Sequence, residues 1–371
     1  MIIPIISFIF ILGLLIFVHE FGHFITAKKS GVHVDEFGFG FPPRIWGKKG
    51  KDGVIYSINW IPLGGFVKIK GQDGEKPNDP DSFANKSFSK RALILSAGVL
   101  MNIILAFFLI SVGFMFGLPA AIDDQDIKDV NVRDVKVQIS EVLENSPASE
   151  QGLMTGFELL KVDDQEITSS NQLADYIKQF SGNSLTLTVK DNSKPWEVVL
   201  EPREIENFSE GKVIGVTLIK TGIVKYGFLK SWYMGLITTW NLLIAIILAF
   251  YVLFRDLFIG LGLSSQVSGP VGVAVMTGRV VGLGWSYILQ FMAILSINLA
   301  VLNFLPFPAL DGGRFLFLVI EKIRRKPNNQ KIEAIVHNSG FALLMLLVVF
   351  ITYRDIIRYG GGMLDKIKEL F

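Results

Sequence analysis

Apolar runs long enough to cross a hydrocarbon core, about 20 residues, occur five times along the chain. They cover residues 2–18 continuing to 27, 92–117, 231–254, 286–310 and, less uniformly, 334–353. Between the first two runs the pattern changes to alternation, and residues 54–60 and 66–70 read as short strands around a Gly64-Gly65 turn. A second alternating region spans 135–203, with a strand at 137–142, a turn-rich stretch from Ser146 to Gly156, a helix at 170–180 and a strand at 185–190. Strand, turn, strand, helix, strand predicts one small β-rich domain. Residues 260–285 are rich in glycine and serine with Arg279 in their middle, which predicts a loop.

Charge orients this pattern. Residues 28–91 carry 12 Lys/Arg against 7 Asp/Glu, whereas residues 118–226 carry 11 against 19. A basic excess beside the spans marks the cytoplasmic side, so 28–91 and the cluster Lys322, Arg324, Arg325, Lys326 are expected inside and the acidic domain outside. The first run lacks a basic leader and meets its positive charges, Lys28 and Lys29, only at its end, so it reads as a span and not a cleaved signal. Composition agrees with a membrane protein: half of the residues are hydrophobic and 19% are charged. The chain has no cysteine, which excludes disulfides and thiolate metal sites and leaves His, Asp and Glu as ligands.

Within the first span lies His19-Glu20-Phe21-Gly22-His23. The i, i+4 spacing puts both imidazoles on one helical face about one turn apart, as two ligands of one zinc require. Glu20 is then placed to take a proton from a water on that metal. The alternative is a pair of packed core histidines, but a carboxylate inside a spanning helix costs roughly 2.5–3.5 kcal/mol on insertion scales and marks function. A catalytic zinc needs a third protein ligand. Asp311, closing the 286–310 run in Asn303-Phe-Leu-Pro306-Phe-Pro308-Ala-Leu310-Asp311-Gly312-Gly313, is the candidate, with a helix N-cap as its other reading. His19 precedes Lys28 by nine residues and Asp311 precedes Lys322 by eleven, so both lie within roughly 14–17 Å of their basic ends and can share one level.

The HExxH in the first span, NxxPxPxLDGG at the end of a later one, and a β-rich insert between them resemble the bacterial site-2 protease family, the metalloproteases of regulated intramembrane proteolysis. The resemblance implies one Zn2+ per chain held by His19, His23 and Asp311, Glu20 as general base, and Asn303 and Pro306 beside the substrate. Residues 61–68, with Gly64 and Gly65, match the family's membrane-reentrant β-loop that pairs with an unwound substrate. Gly98 and Asn102 match its GxxxN motif, with Val99 where a proline is common, and Asn102 joins the expected substrate-binding residues. The insert resembles a circularly permuted PDZ domain in its Ser146-Pro147-Ala148 and Gly152-Leu153 positions, with Phe157 in place of the usual Asp.

The expected fold is therefore a polytopic α-helical membrane protein of four transmembrane helices, a membrane-associated helical segment and a reentrant β-loop, with one inserted PDZ-like β-rich domain. Parity sets the helix count: if Asp311 is to meet His19 and His23, the run at 231–254 makes no net crossing. The expected divisions are 1–117 (spans 2–27 and 92–117 about 28–91), 118–226, 227–285 (membrane-associated helix and Gly-rich loop) and 286–371 (spans 286–313 and 334–353). His337 is expected as a packed or substrate-facing group. The family implies an endopeptidase of the bacterial cytoplasmic membrane, cutting transmembrane segments of single-span proteins such as trimmed anti-sigma factors or remnant signal peptides. Partners are then the lipid bilayer, those substrates, and a peptide or ectodomain at the PDZ-like groove, which the family also suggests as a size filter; no nucleic acid is implied. A silent scaffold would show damage to the HExxH or LDG positions, and a metal transporter would show internal repeats; the sequence has neither.

Overall fold

The computed structural model describes residues 2–72, 77–122, 131–143, 145–191, 194–205, 211–260 and 269–368. In chain order the elements are α1 (Ile2–Lys29), β1 (Val34–Lys49), β2 (Ile55–Ile69), α2 (Phe88–Phe116), β3 (Leu118–Ala121) and β4 (Asn131–Val142). There follow α3 (Pro147–Glu150), β5 (Glu158–Val162), β6 (Gln165–Glu166), α4 (Gln172–Gln179), β7 (Leu185–Lys190), β8 (Trp196–Leu200) and β9 (Val216–Lys225). The chain ends with α5 (Phe228–Ile259), α6 (Pro270–Leu283), α7 (Trp285–Phe304), α8 (Asp311–Arg324) and α9 (Gln330–Lys368). Two compact units result: Met1–Val112 with Trp232–Phe371, and Gly113–Ser231.

In the larger unit, α1 stops where Gly31 turns left-handed (φ 73°). The Gly31 N–H then reaches the Lys28 carbonyl and the Val32 N–H the Ala27 carbonyl, closing the helix end, while Lys28 and Lys29 face the negative pole of the helix. The strands that follow are each bent on themselves. Residues 34–39 of β1 pair with 65–69 on one side and with 55–58 on the other, and 44–49 pair with 55–59. The two strand segments expected around Gly64-Gly65 thus exist but do not pair with each other, because β1 runs between them. The turn at the far end of β1 is tied back to α1: Lys28 and Tyr56 both donate to Asp52, and the Lys28 ammonium, then the Tyr56 hydroxyl, lower its carboxyl to about 2.

Among the described residues five helices, α1, α2, α5, α7 and the first 28 residues of α9, are long and apolar enough to cross a membrane. Helix α5 carries no charged residue between Lys230 and Arg255, and none of its most hydrophobic 18 residues is buried. Its contacts with α2 lie near its start, where Trp232 packs on Phe107 and Phe108 and Gly235 abuts Ser111. Two sequence expectations are corrected. Residues 261–268 of the expected Gly-rich loop lie outside the described residues, but 270–283 of it form the apolar helix α6. The expected 286–313 span is not one helix, because α7 ends at Phe304 and Asp311 opens α8.

Helix α6 begins without a cap from its own sequence, and α9 supplies one. The carboxylate of Asp355, 2% exposed, accepts the Gly269 N–H at 2.9 Å and the Gly272 N–H at 2.7 Å. An acid at a helix N-terminus answers both the orphan donors and the dipole. Replacing it with Ala is expected to cost about 2 kcal/mol or more, since hydrogen bonds to charged groups contribute ~1.5–3 each, and to lower the thermal midpoint in detergent. Asp355→Asn keeps an acceptor and is expected to lose much less; equal losses in the two variants would remove the capping account.

In the smaller unit the strands form one sheet in the order β3-β9-β4-β5-β7-β8, with β6 beside β5. Its core gathers Ile139, Leu159, Val162, Leu185, Leu187, Leu200 and Ile214, each 2% exposed or less, with α4 contributing Leu173 and Ile177. The strand, turn, strand, helix, strand order read from the sequence is all present. What alternation did not disclose is the pairing of β4 with β9, which joins the start of the domain to its end.

Candidate metal centre

Helix α1 delivers His19 and His23, 4% and 5% exposed, one turn apart. Asp311 arrives as the first residue of α8, whose N-cap is Leu310, so its carboxylate is directed at the histidines and does not cap the helix. Asp311 Oδ2 lies 2.9 Å from His19 Nε2 and 3.2 Å from His23 Nε2, and the two Nε2 atoms are 3.2 Å apart. Residues 292 positions apart in the chain thereby offer their ligand atoms to one point.

The outer ring nitrogens show which tautomers these are. His23 Nδ1–H donates to the Ile94 carbonyl at 2.8 Å, leaving the lone pair on Nε2. On His19 the Nδ1 side faces Asn102 Nδ2 at 3.5 Å, and Asn102 is fully buried with its Oδ1 unpartnered. We assign the amide turned over, with Oδ1 accepting from His19 Nδ1–H, which again leaves the lone pair on Nε2. Two nitrogen lone pairs and a carboxylate oxygen within about hydrogen-bond distance repel unless a cation lies among them. The donor set, two imidazoles and a carboxylate, is that of catalytic zinc sites.

Glycine makes room for this point. A Cβ on Gly98 would stand 2.4 Å from His23 Nε2 and 2.7 Å from His19 Nε2, filling the cradle between the rings. One on Gly22 would stand 2.4 Å from the Ala97 carbonyl oxygen, so the α1–α2 approach itself needs Gly22. The Gly-Gly after Asp311 serves the same end: side chains at Gly312 and Gly313 would collide with the carbonyls of Phe304, Leu305 and Phe307 at 2.2–2.3 Å. Only glycine lets α8 begin so close to the end of α7.

Around this centre the Glu20 carboxylate faces the Val67 backbone N–H of β2. Gly64, left-handed at φ 100°, lets β2 pass against Ile16, and Gly65 lies beside Phe17, so both expected residues border α1 within a turn of His19. Asn303 Nδ2 is 3.4 Å from His19 Nε2, and Pro306 is exposed on the loop after α7. Asn102, also expected beside the substrate, is buried behind His19 at the ring nitrogen away from Asp311.

Comparison with known proteins fits this geometry. Residues 7–347 match Peptidase family M50. The chain belongs to that family. The regulator of sigma-E protease RseP of Escherichia coli K12 is 29% identical over 447 residues, covering 95% of this chain and 98% of its own. The zinc metalloprotease RasP of Geobacillus kaustophilus is 29% identical over 441 residues, covering 96% and 98%. The crystal structure of a PDZ domain from an SdrC-like protein of Listeria monocytogenes aligns with 22% of this chain and 86% of its own, at 24% identity and a TM-score of 0.20. This M50 member is a zinc metalloprotease of the site-2 protease type and a multi-pass membrane protein.

Proposed function

We propose that this M50 protease hydrolyses a peptide bond within the transmembrane segment of single-span membrane proteins, with His19, His23 and Asp311 holding zinc and Glu20 as general base. The observation that carries this reading is the convergence of the three ligand atoms beside Glu20 among apolar helices. Zinc, when bound, supplies Lewis acidity and makes water ionisable near neutral pH. Glu20, facing the Val67 N–H, takes a proton from the attacking water and returns it to the leaving amine nitrogen. His23 and His19 are kept in the ligating tautomer by the Ile94 carbonyl and Asn102. A helical substrate hides its carbonyls, so it must unwind before it reacts; Asn303 and the 61–68 segment with its two glycines, entering the membrane as a reentrant loop, offer it replacement hydrogen bonds.

In the proposed topology the N-terminus of α1 is outside, 28–91 and the basic end of α8 are cytoplasmic, and the β-rich domain is extracytoplasmic. The charge distribution supports this. Helices α1, α2, α7 and α9 then make four crossings of the bacterial cytoplasmic membrane, and α5 is membrane-associated without a net crossing. The names of the relatives that regulate sigma E favour anti-sigma factors as substrates, trimmed beforehand by another protease, with remnant signal peptides as a second class. The PDZ-like domain carries a groove of about 660 Å³ between α4 and β9, lined by Leu173, Ile177, Phe180, Ile214 and Val216, where an extended peptide or a substrate ectodomain would lodge or be excluded.

Zinc content of purified protein, measured beside cleavage of a tagged single-span substrate, tests the ligand set. The wild type is expected to hold about one zinc per chain, and His23→Ala and Asp311→Asn to lose most of it together with cleavage. An Asp311→Asn variant with its zinc intact would remove Asp311 from the site and reopen 231–254 as a crossing.

A further inference from the structure

We propose that His337, on α9, is a positioning residue for Asp311, acting through the backbone of the loop that delivers it. The loop 305–310 lies between α7 and α8 and carries a backbone feature an L-residue rarely adopts: Ala309 is left-handed, φ 81°. For a residue with a Cβ that conformation is sterically unfavourable and persists only where the surroundings over-determine it. Two groups from α9 do so. His337 Nδ1 accepts the Ala309 N–H at 2.9 Å. One helical turn on, Gly340 lets α9 press onto Pro308, where a Cβ would come within 2.4 Å of the proline ring and 2.7 Å of its carbonyl oxygen. The imidazole is itself set by packing at a tilt against Phe317 of α8, ring centroids 5.4 Å apart.

Ala309 stands two residues before Asp311, and the loop closes through the Leu310 N–H to the Phe307 carbonyl and the Gly313 N–H to the Leu310 carbonyl. The orientation of the Ala309 peptide therefore fixes where the first residue of α8 places its carboxylate. His337 touches neither ligand atoms nor reacting groups; it determines how well Asp311 meets His19 and His23. The inference rests on the three-ligand reading of the preceding section.

The chemistry gives a discriminating test. Asparagine places Oδ1 where histidine has Nδ1, whereas glutamine reaches the position of Nε2, and leucine fills volume without an acceptor. Zinc retention against a graded chelator is measured in the full-length protein for wild type, His337→Asn, His337→Gln and His337→Leu, with Asp311→Asn as reference and kcat and KM on the single-span substrate alongside. His337→Asn is expected to hold zinc like wild type. Gln and Leu are expected to release it about 10-fold more readily, the lower end of the range for groups that orient metal ligands. Their kcat should fall with the zinc-loaded fraction and recover in excess zinc, with KM unchanged. A Gln variant that retains zinc like wild type, or an Asn variant as weak as Gln, overturns the inference, and this comparison stands even if the Leu variant does not fold. If instead Asp311→Asn retains zinc, the ligand assignment fails, and the inference falls with it.

Discussion

Glu20→Gln is expected to reduce cleavage of a single-span substrate by at least ~10²–10⁴-fold, the range for removing a positioned general acid or base, while zinc content remains that of wild type. The two halves of this result come from different contacts. Glu20 is no part of the cluster of His19, His23 and Asp311, so their hold on the metal is untouched. Glutamine matches glutamate in size and shape and can face the Val67 N–H as it does, so the side chain stays in place but can no longer take a proton. Measuring zinc and initial rate on the same preparation separates the effects. A zinc-loaded Gln variant that cleaves at the wild-type rate would take the proton-transfer role away from Glu20.

Gly98→Ala is expected to have the opposite signature to an ordinary core defect. Alanine is the better helix former by about 1 kcal/mol, so α2 itself is not weakened. The new methyl group, however, would stand 2.4 Å from His23 Nε2 and 2.7 Å from His19 Nε2. The imidazole ends can swing aside, so the fold survives, but both ligand atoms leave the point they share with Asp311. Zinc affinity is expected to fall ~10–100-fold, the range seen when groups that orient ligands are disturbed, with cleavage falling alongside and the thermal midpoint of the metal-free protein unchanged or raised. Chelator competition with a melting curve checks both, and wild-type zinc affinity in this variant would mean the rings do not frame the metal.

The parts of the site that follow from local spacing were legible in the sequence. Histidines at i and i+4 must share a helical face, and an acid ending a long apolar run must be handled by something. The GxxxN positions were visible, but the role of Asn102 was not, because whether a buried amide faces substrate or the back of an imidazole depends on a neighbouring helix. Residues that act across helices left fainter signals. Asp355 stood at the end of an apolar run beside Arg354, and only the fold shows that its carboxylate caps α6, inside a stretch whose glycines had suggested a loop. For His337 the sequence offers a packed or substrate-facing role, but its partner is a backbone N–H, which no side-chain pattern reports. The interleaving of β1 between the two halves of β2 was hidden for a related reason: alternation reveals strands, and pairing between distant segments is set by how the chain bends.

With the ligand set proposed above, the break between α7 and α8 makes Asp311 both a ligand and the opening residue of a helix. The positive pole of α8 faces the carboxylate and draws some of its charge, so the oxygen it offers is a poorer electron donor than a free aspartate and leaves a bound cation more electron-hungry. By reciprocity, whatever the cation gains from that oxygen it returns to the first turn of α8: stripping the metal loosens the helix, and fraying the helix releases the metal. In this protease the ion is a fastener of the fold as well as a reagent.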